Sequence, residues 1–275
     1  MRVKPPIGRD TRLCMSLAAR PGNFGSRFHN RLYERLGLDY AYKAFTTNDL
    51  DGAMRGIRAL GIRGCAVSMP FKEAVIPLLD SLAGSAATID SVNTIVNDDG
   101  RLTGYNTDYS AMRDLLDRAG VAPELPFSLR GSGGMAKAVA AALRDRGHRR
   151  GTVVARNADK GRALANTYGF DWQVEVGDGA AVLVNATPIG MSGGDETALA
   201  FTPHVIARSA VAIEVVALPA ETPFLRAARA AGKVTIAGAD IAVLQALEQF
   251  VLYTGVRPGD DDIAHAAAFA RGEVD

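Results

Sequence analysis

The stretch "SLRGSGGMAKAVAAALRDRG", residues 128–147, decides how this chain is read. A short apolar run ends in a glycine-rich turn, and the turn opens directly into an alanine-rich helix. Gly131, Gly133 and Ala136 fit the pattern G-x-G-x-x-[G/A], in the strand–turn–helix setting that gives the pattern its meaning. The first glycine permits a tight turn, and the second lets a pyrophosphate approach the backbone. A small third residue lets helix and strand pack closely. The backbone around Ser132, Gly133, Gly134 and Met135 would then offer N–H groups to a phosphate at the positive end of the helix. Taken alone, the motif also fits a tight turn with no ligand. Arg130 is a charge where such a strand is ordinarily apolar, and it points either out of the sheet edge or toward the ligand.

The next strand, "GTVVAR", ends in Arg156 and Asn157 rather than in the aspartate or glutamate that takes the ribose 2′-hydroxyl of NAD. A carboxylate there would repel a 2′-phosphate, whereas a guanidinium grips one through paired charge-assisted hydrogen bonds. The expected cofactor is NADP.

Outward from this segment the chain reads as ordinary globular protein. Of its 275 residues 48% are hydrophobic and 22% charged, and the net charge is +1. That balance gives no electrostatic case for nucleic acid or an acidic membrane. The two cysteines, Cys14 and Cys65, lack metal-type spacing and fit a reducing compartment better than a disulfide framework. "MRVKPPIGRD" has no apolar core of a signal peptide, and no apolar run is long enough for a bilayer. A soluble, cytoplasmic protein is expected, as monomer or homodimer. No pair among the four histidines has ligand spacing, so no metal is expected. His29 packs in or caps its helix, and His148, His204 and His265 fall in loop or surface contexts.

Short β-rich runs alternate with helical patterns almost throughout, which argues for parallel sheet with crossovers. "NDLDGAMRGIRALG" reads as a helix capped by Asn48 and stopped at Gly61. "PFKEAVIPLLD" reads as another, with Pro70 in its first turn. "VAPELP" marks a boundary, after which a second alternation begins. The fold class is α/β in two domains. Residues 1–108 plus 240–275 form a substrate domain, and residues 109–239 a Rossmann-type NADP domain.

Three stretches of the first half hold more polar groups than a simple core needs: "AVSMPFK" (66–72), "SVNTI" (91–95) and "GYNTD" (104–108). Lys72 falls in the first turn of the expected helix, where its charge opposes the dipole and gains nothing. Asp108 follows Asn106 and Thr107 at a helix start, where capping is its plain structural role. With a dinucleotide fold in the same chain, a lysine and an aspartate read as a proton-transfer pair.

With these segments the sequence resembles the shikimate dehydrogenase family over nearly its whole length. "AVSMPFK" is similar to that family's N-V-T-x-P-x-K, and "SVNTIVNDDGRLTGYNTD" to its A-V-N-T followed by G-x-N-T-D. "RGSGGMAKA", "VVARN" and "VNATPIGM" resemble its glycine turn, its N-R-T strand end and its N-x-T-P-x-G-M loop. "IEVVALPAETPFLRAARAAG" and "GADIAVLQALEQF" are similar to its last two blocks. The resemblance implies oxidation of a ring hydroxyl, of shikimate or a related cyclic hydroxy acid such as quinate, by hydride transfer to NADP. It implies an active site in a cleft between the two domains, with Lys72 and Asp108 catalytic. Asn93, Asp108 and Gln245 would hold substrate hydroxyls, and Ser68 takes the place of the family threonine. Thr187, Met191, Val215 and Gly238 would border the cofactor.

The sequence also departs from the family. Its paired serines, S-x-S-P, which bind the substrate carboxylate, are replaced by Asn23, Phe24 and Gly25. Losing two donors to a carboxylate forgoes roughly 1.5–3 kcal/mol each, though Asn23 and backbone N–H groups near Gly22 and Gly25 could replace some of it. Ala66 and Ala155 stand where the family has asparagine, and the tyrosine of the late cofactor loop is missing from Val216–Pro219. A shikimate dehydrogenase-like enzyme, weak on shikimate itself, is expected. The alternative from another class is a non-catalytic NADP-binding sensor, against which the intact Lys72 and Asp108 argue. A methylenetetrahydrofolate dehydrogenase shares the two-domain plan but none of these motifs.

Overall fold

The computed structural model describes residues 3–275. The chain divides into two compact units, Met1–Thr107 with Gln245–Asp275, and Asp108–Leu244. The first unit is built from β1 (Arg12–Leu17), α1 (Phe24–Leu36), β2 (Tyr40–Phe45), α2 (Leu50–Ala59), β3 (Gly64–Val67), β4 (Ser81–Leu82), α3 (Gly84–Ile89), β5 (Thr94–Asp98) and β6 (Arg101–Tyr105). The second contains α4 (Thr107–Arg118, from Asp108 on), β7 (Phe127–Arg130), α5 (Gly134–Asp145), β8 (Gly151–Val154), α6 (Ala158–Tyr168), β9 (Asp171–Gln173) and β10 (Val182–Asn185). It continues through α7 (Pro203–Arg208), β11 (Val211–Glu214), α8 (Pro223–Ala230), β12 (Val234–Ile236) and the start of α9 (Gly238–Thr254). The rest of α9 and α10 (Asp260–Arg271) belong to the first unit.

The second unit is a fully parallel six-stranded sheet in the order β12-β11-β10-β7-β8-β9. Its central strands read as near-continuous apolar runs because helices cover both faces of such a sheet. β10 and β11 are buried at every position. The chain enters at β7, winds outward through β8 and β9, then returns to β10 on the other side. The order therefore reverses between β7 and β10, and a ligand crevice forms outside the carboxyl ends of strands at such a point. In α5, Ala136, Ala138, Ala140, Ala141 and Ala142 are buried. These small side chains cost little entropy in a helix and let it lie close to the strands.

The first unit has a mixed sheet in the order β2-β1-β3-β5-β6-β4. β2, β1 and β3 are parallel, as the alternation predicts, but β5 and β6 form an antiparallel hairpin. An all-parallel sheet here is thus corrected. The hairpin turns at Asp99 and Gly100, whose φ values of 50° and 91° meet the demand of a primed two-residue turn. One face of α1 buries Phe28, His29, Leu32 and Tyr33, each large apolar side chain contributing roughly 1.5–3 kcal/mol. The outer edge of β2 is occupied: the Asn30 side chain accepts from the Tyr42 N–H at 2.9 Å and donates to its carbonyl at 2.8 Å.

Several local expectations give way to tertiary structure. The cap of α2 is Asp49, which accepts from the Gly52 N–H at 2.7 Å, and not Asn48. No α-helix follows Pro70. Phe71–Val75 form turns and Ile76–Leu78 a short 3₁₀ segment. The Lys72 carbonyl is taken by the Val92 N–H at 2.8 Å, and Pro77 has no N–H to offer Glu73, so the helical ladder cannot form. Lys72 accordingly opposes no helix dipole. His148 is buried at 0% exposure against Phe127, not a surface residue.

Candidate functional site

The crevice of the second unit is built around Gly131. Its φ is +126°, and a Cβ there would lie 2.7 Å from the Ala186 carbonyl oxygen. Only glycine fits. Gly133, the N-cap of α5, faces nothing within 4 Å of its Cβ position, which leaves open space for an approaching group. The Lys137 N–H makes the first helical bond, to Gly133 O at 3.0 Å, so the N–H groups of Gly134, Met135 and Ala136 have no carbonyl within the helix. Ser132 and Met135 are half-buried beside them. These groups suit a phosphate.

At the end of the neighbouring β8, Arg156 and Asn157 are both exposed. Asn157 caps α6, its side chain accepting from the Lys160 N–H at 2.9 Å, so its oxygen has a structural duty. Arg156 makes no ion pair or hydrogen bond among the described residues. Arg130 lies half-buried and donates to the Ala200 carbonyl, which settles its direction. Burial and then the charge of Arg156 lower its pKa from the usual guanidinium value. The pair concentrates positive charge at one side of the crevice.

Opposite, the loop after β10 is wound around Asn185. Its side-chain oxygen accepts from the Thr187 hydroxyl at 2.6 Å and the Thr187 N–H at 3.2 Å. Its nitrogen donates to the Ile189 carbonyl at 3.0 Å and to Glu214 at 2.9 Å. Thr187 and Val215 are half-buried, and Met191 is 39% exposed. Gly238 is a packing glycine, since a Cβ would lie 2.2 Å from the Val216 carbonyl oxygen. The motifs single out Thr187, Val215 and Gly238 but pass over Asn185 and Glu214, which hold that loop from beneath.

In the first unit, backbone bonds join the polar stretches. The Val67 N–H donates to Asn93 O at 2.7 Å, and the Val92 N–H to Lys72 O at 2.8 Å. Ser68, exposed, and Lys72, half-buried, stand beside buried Asn93. The Asn93 side chain accepts from the Thr107 N–H at 2.8 Å and donates to the Thr107 hydroxyl at 3.1 Å. It therefore fixes the residue immediately before Asp108, which is 1% exposed in the first turn of α4. Gln249 donates to the Thr94 hydroxyl at 3.1 Å and lies one helical turn beyond half-buried Gln245. Gln249 was legible only as an i+4 repeat of Gln245. Asn23 is the exposed N-cap of α1 and makes no side-chain cap bond. Near it, the Gly25 Cβ position lies 3.5 Å from the Tyr42 hydroxyl. Among the described residues no group of three or more His, Cys, Asp or Glu could hold a metal ion, and no helix is long and apolar enough to cross a membrane.

The parallel sheet, its reversal point and the glycine turn define an α/β protein with a Rossmann-type dinucleotide-binding unit. Residues 24–95 match the model of the shikimate dehydrogenase substrate binding domain. The chain is 54% identical over 267 residues to a shikimate dehydrogenase-like protein of Haemophilus influenzae, covering 96% of this chain and 98% of that one. It is 34% identical over 258 residues to the shikimate dehydrogenase (NADP(+)) of Pelodictyon phaeoclathratiforme, covering 86% and 88%. The solved shikimate 5-dehydrogenase of Thermus thermophilus, in complex with NADP(H) and shikimate, matches at a TM-score of 0.86 and 31% identity, over 94% of this chain and 99% of that one. The chain belongs to the shikimate dehydrogenase family.

Proposed function

We propose that this protein is an NADP-dependent oxidoreductase acting on a ring hydroxyl of shikimate or a related cyclic hydroxy acid such as quinate. The observation that carries the reading is the crevice itself. A turn that only glycine can make faces a strand end bearing Arg156 and no carboxylate. NADP, when bound, would supply the hydride acceptor. The remaining chemistry falls to the chain's own residues.

Lys72 receives the hydroxyl proton as the hydride leaves the same carbon, and Asp108 holds and tunes that lysine. Asn93, Gln245 and Ser68 orient the hydroxyls, with Asn23 toward the acid end. Arg156 selects the 2′-phosphate by charge-assisted bonds. Because Asn23 and Gly25 stand where the family has serines, turnover of shikimate is slow, and a differently shaped acid is the better substrate.

The test is NADP reduction followed by absorbance, with shikimate and quinate side by side against a no-substrate control. Saturable turnover lost in Lys72→Ala supports the reading. NADP binding with no turnover on any cyclic hydroxy acid would favour a nucleotide-binding sensor instead.

A further inference from the structure

Glu214 ends β11 at 0% exposure, an acid at the crevice that the motifs leave without a role. It pairs in register with Asn185 on β10, so both side chains leave the sheet on the same face at its carboxyl end. Its first oxygen accepts from Asn185 at 2.9 Å and from the Val216 N–H at 3.0 Å. The second accepts from Asn185 at 3.2 Å and from the Thr222 hydroxyl at 2.9 Å. Thr222 is itself the N-cap of α8, accepting from the Leu225 N–H at 3.2 Å.

These partners are all neutral donors, and among the described residues no cation pairs with the carboxylate. A buried anion without a charged partner is costly, so a merely structural position would more cheaply be neutral. Here three separate segments converge on it: the loop after β10, the end of β11, and the start of α8. Through Asn185, whose oxygen is committed to Thr187 and whose nitrogen also reaches the Ile189 carbonyl, the carboxylate fixes which way the amide faces. A reversed amide would set its oxygen against Glu214 and its nitrogen against the Thr187 N–H.

We propose that Glu214 is a positioning residue for the nucleotide, acting through Asn185 to hold the Thr187 loop and through Val216 to hold the strand end at Val215. The inference rests on the NADP reading above. Burial pushes the carboxyl up to about 7 against the pull of its donors, which agrees with a site whose geometry demands an acceptor in a dry place.

The experiment compares wild type, Glu214→Gln, Glu214→Asp, Thr187→Ala and the double variant E214Q/T187A. NADPH affinity is read from nucleotide fluorescence well below each melting temperature. E214Q keeps the volume but sets an amide N–H₂ against donors, and a roughly tenfold to hundredfold loss of affinity is expected. E214D keeps the charge one methylene short and should lose less, in the same direction. E214Q and T187A should not multiply in the double variant, because both act through one loop. Unchanged affinity in E214Q, or full multiplication of the two effects, overturns the proposal. So does a pair in which Gln prevents folding while Asp binds NADPH as wild type does. Absence of NADPH binding in wild type defeats the functional reading itself, a result distinct from any of these.

Discussion

Gly131 and Ala186 approach so closely that a methyl group on the first would lie 2.7 Å from the carbonyl oxygen of the second. The contact locks the turn after β7 against the strand end of β10, where the Ala186 N–H also donates to Arg130 O at 2.8 Å. Gly131→Ala should therefore cost both stability and nucleotide affinity, roughly 1–3 kcal/mol from backbone strain before the clash is counted. Gly133→Ala meets nothing within 4 Å. It should lose far less stability than Gly131→Ala, only the modest cost of alanine at an N-cap, yet bind NADPH more weakly, because the methyl occupies the space a phosphate needs. Thermal melts beside NADPH titrations of the two variants check the contrast.

Lys72→Ala should lower kcat by roughly 10²–10⁴ if the lysine moves the proton. NADPH affinity should stay nearly unchanged, since the lysine acts on the substrate hydroxyl and not on the nucleotide. Steady-state kinetics with a parallel nucleotide titration separates the two. Turnover that survives the change would remove Lys72 from the mechanism.

Arg156→Ala should weaken NADP far more than NAD, by roughly tenfold to hundredfold for a lost charge-assisted contact. Arg130 already spends a guanidinium donor on the Ala200 carbonyl. Dissociation constants for both nucleotides, measured at one salt concentration, decide the point. Equal losses for NADP and NAD would sink the assignment of the 2′-phosphate to Arg156.

Two buried groups should tilt stability against pH in opposite directions. Burial pushes the His29 pKa down to about 3 from an ordinary 6.5. The unfolded chain then binds the proton more readily, so this stability is full above about 6.5 and is lost as pH falls toward 3. Glu214 is raised from 4.5 to about 7, so its contribution is full below 4.5 and lost as pH rises through 7. Denaturant midpoints across the range from the Glu214 to the His29 titration should show His29→Phe flattening the acid side, and Glu214→Gln flattening the decline toward neutrality. A midpoint profile unchanged by His29→Phe would contradict the assignment of that slope.

The parallel unit was legible because its signals are local. Gly131, the Ala136 helix and the apolar strands each state their role within a few residues. The turn at 70–78 was not, because what undoes the helix there is the Val92 N–H, far away in sequence, taking the Lys72 carbonyl. The shift of the α2 cap from Asn48 to Asp49 is a one-residue choice between two good caps. The β5–β6 hairpin carries its signal in the turn at Asp99–Gly100, which an alternation of strands and helices does not anticipate. Of the candidate site, motif spacing points to Gly131, Gly133 and Thr187. It does not point to Asn185 and Glu214, because their meaning lies in a register between two strands that no single stretch contains. His148 looks in sequence like a surface histidine, and only packing shows it enclosed at 0% exposure, whereas His29 is buried in keeping with a histidine that packs in its helix.

The side chain of Asn30 has a consequence for the life of the chain in a crowded solution. β2 ends its sheet, and an end strand with idle backbone groups invites a stranger's strand to join it. Here the amide of Asn30 already answers both groups of Tyr42, the Tyr40 N–H is turned back to Leu38 O at 2.9 Å, and the Lys43 ammonium reaches Ala44 O at 3.3 Å. The border is closed from within. A strand from another copy finds the backbone groups at these positions of β2 already taken.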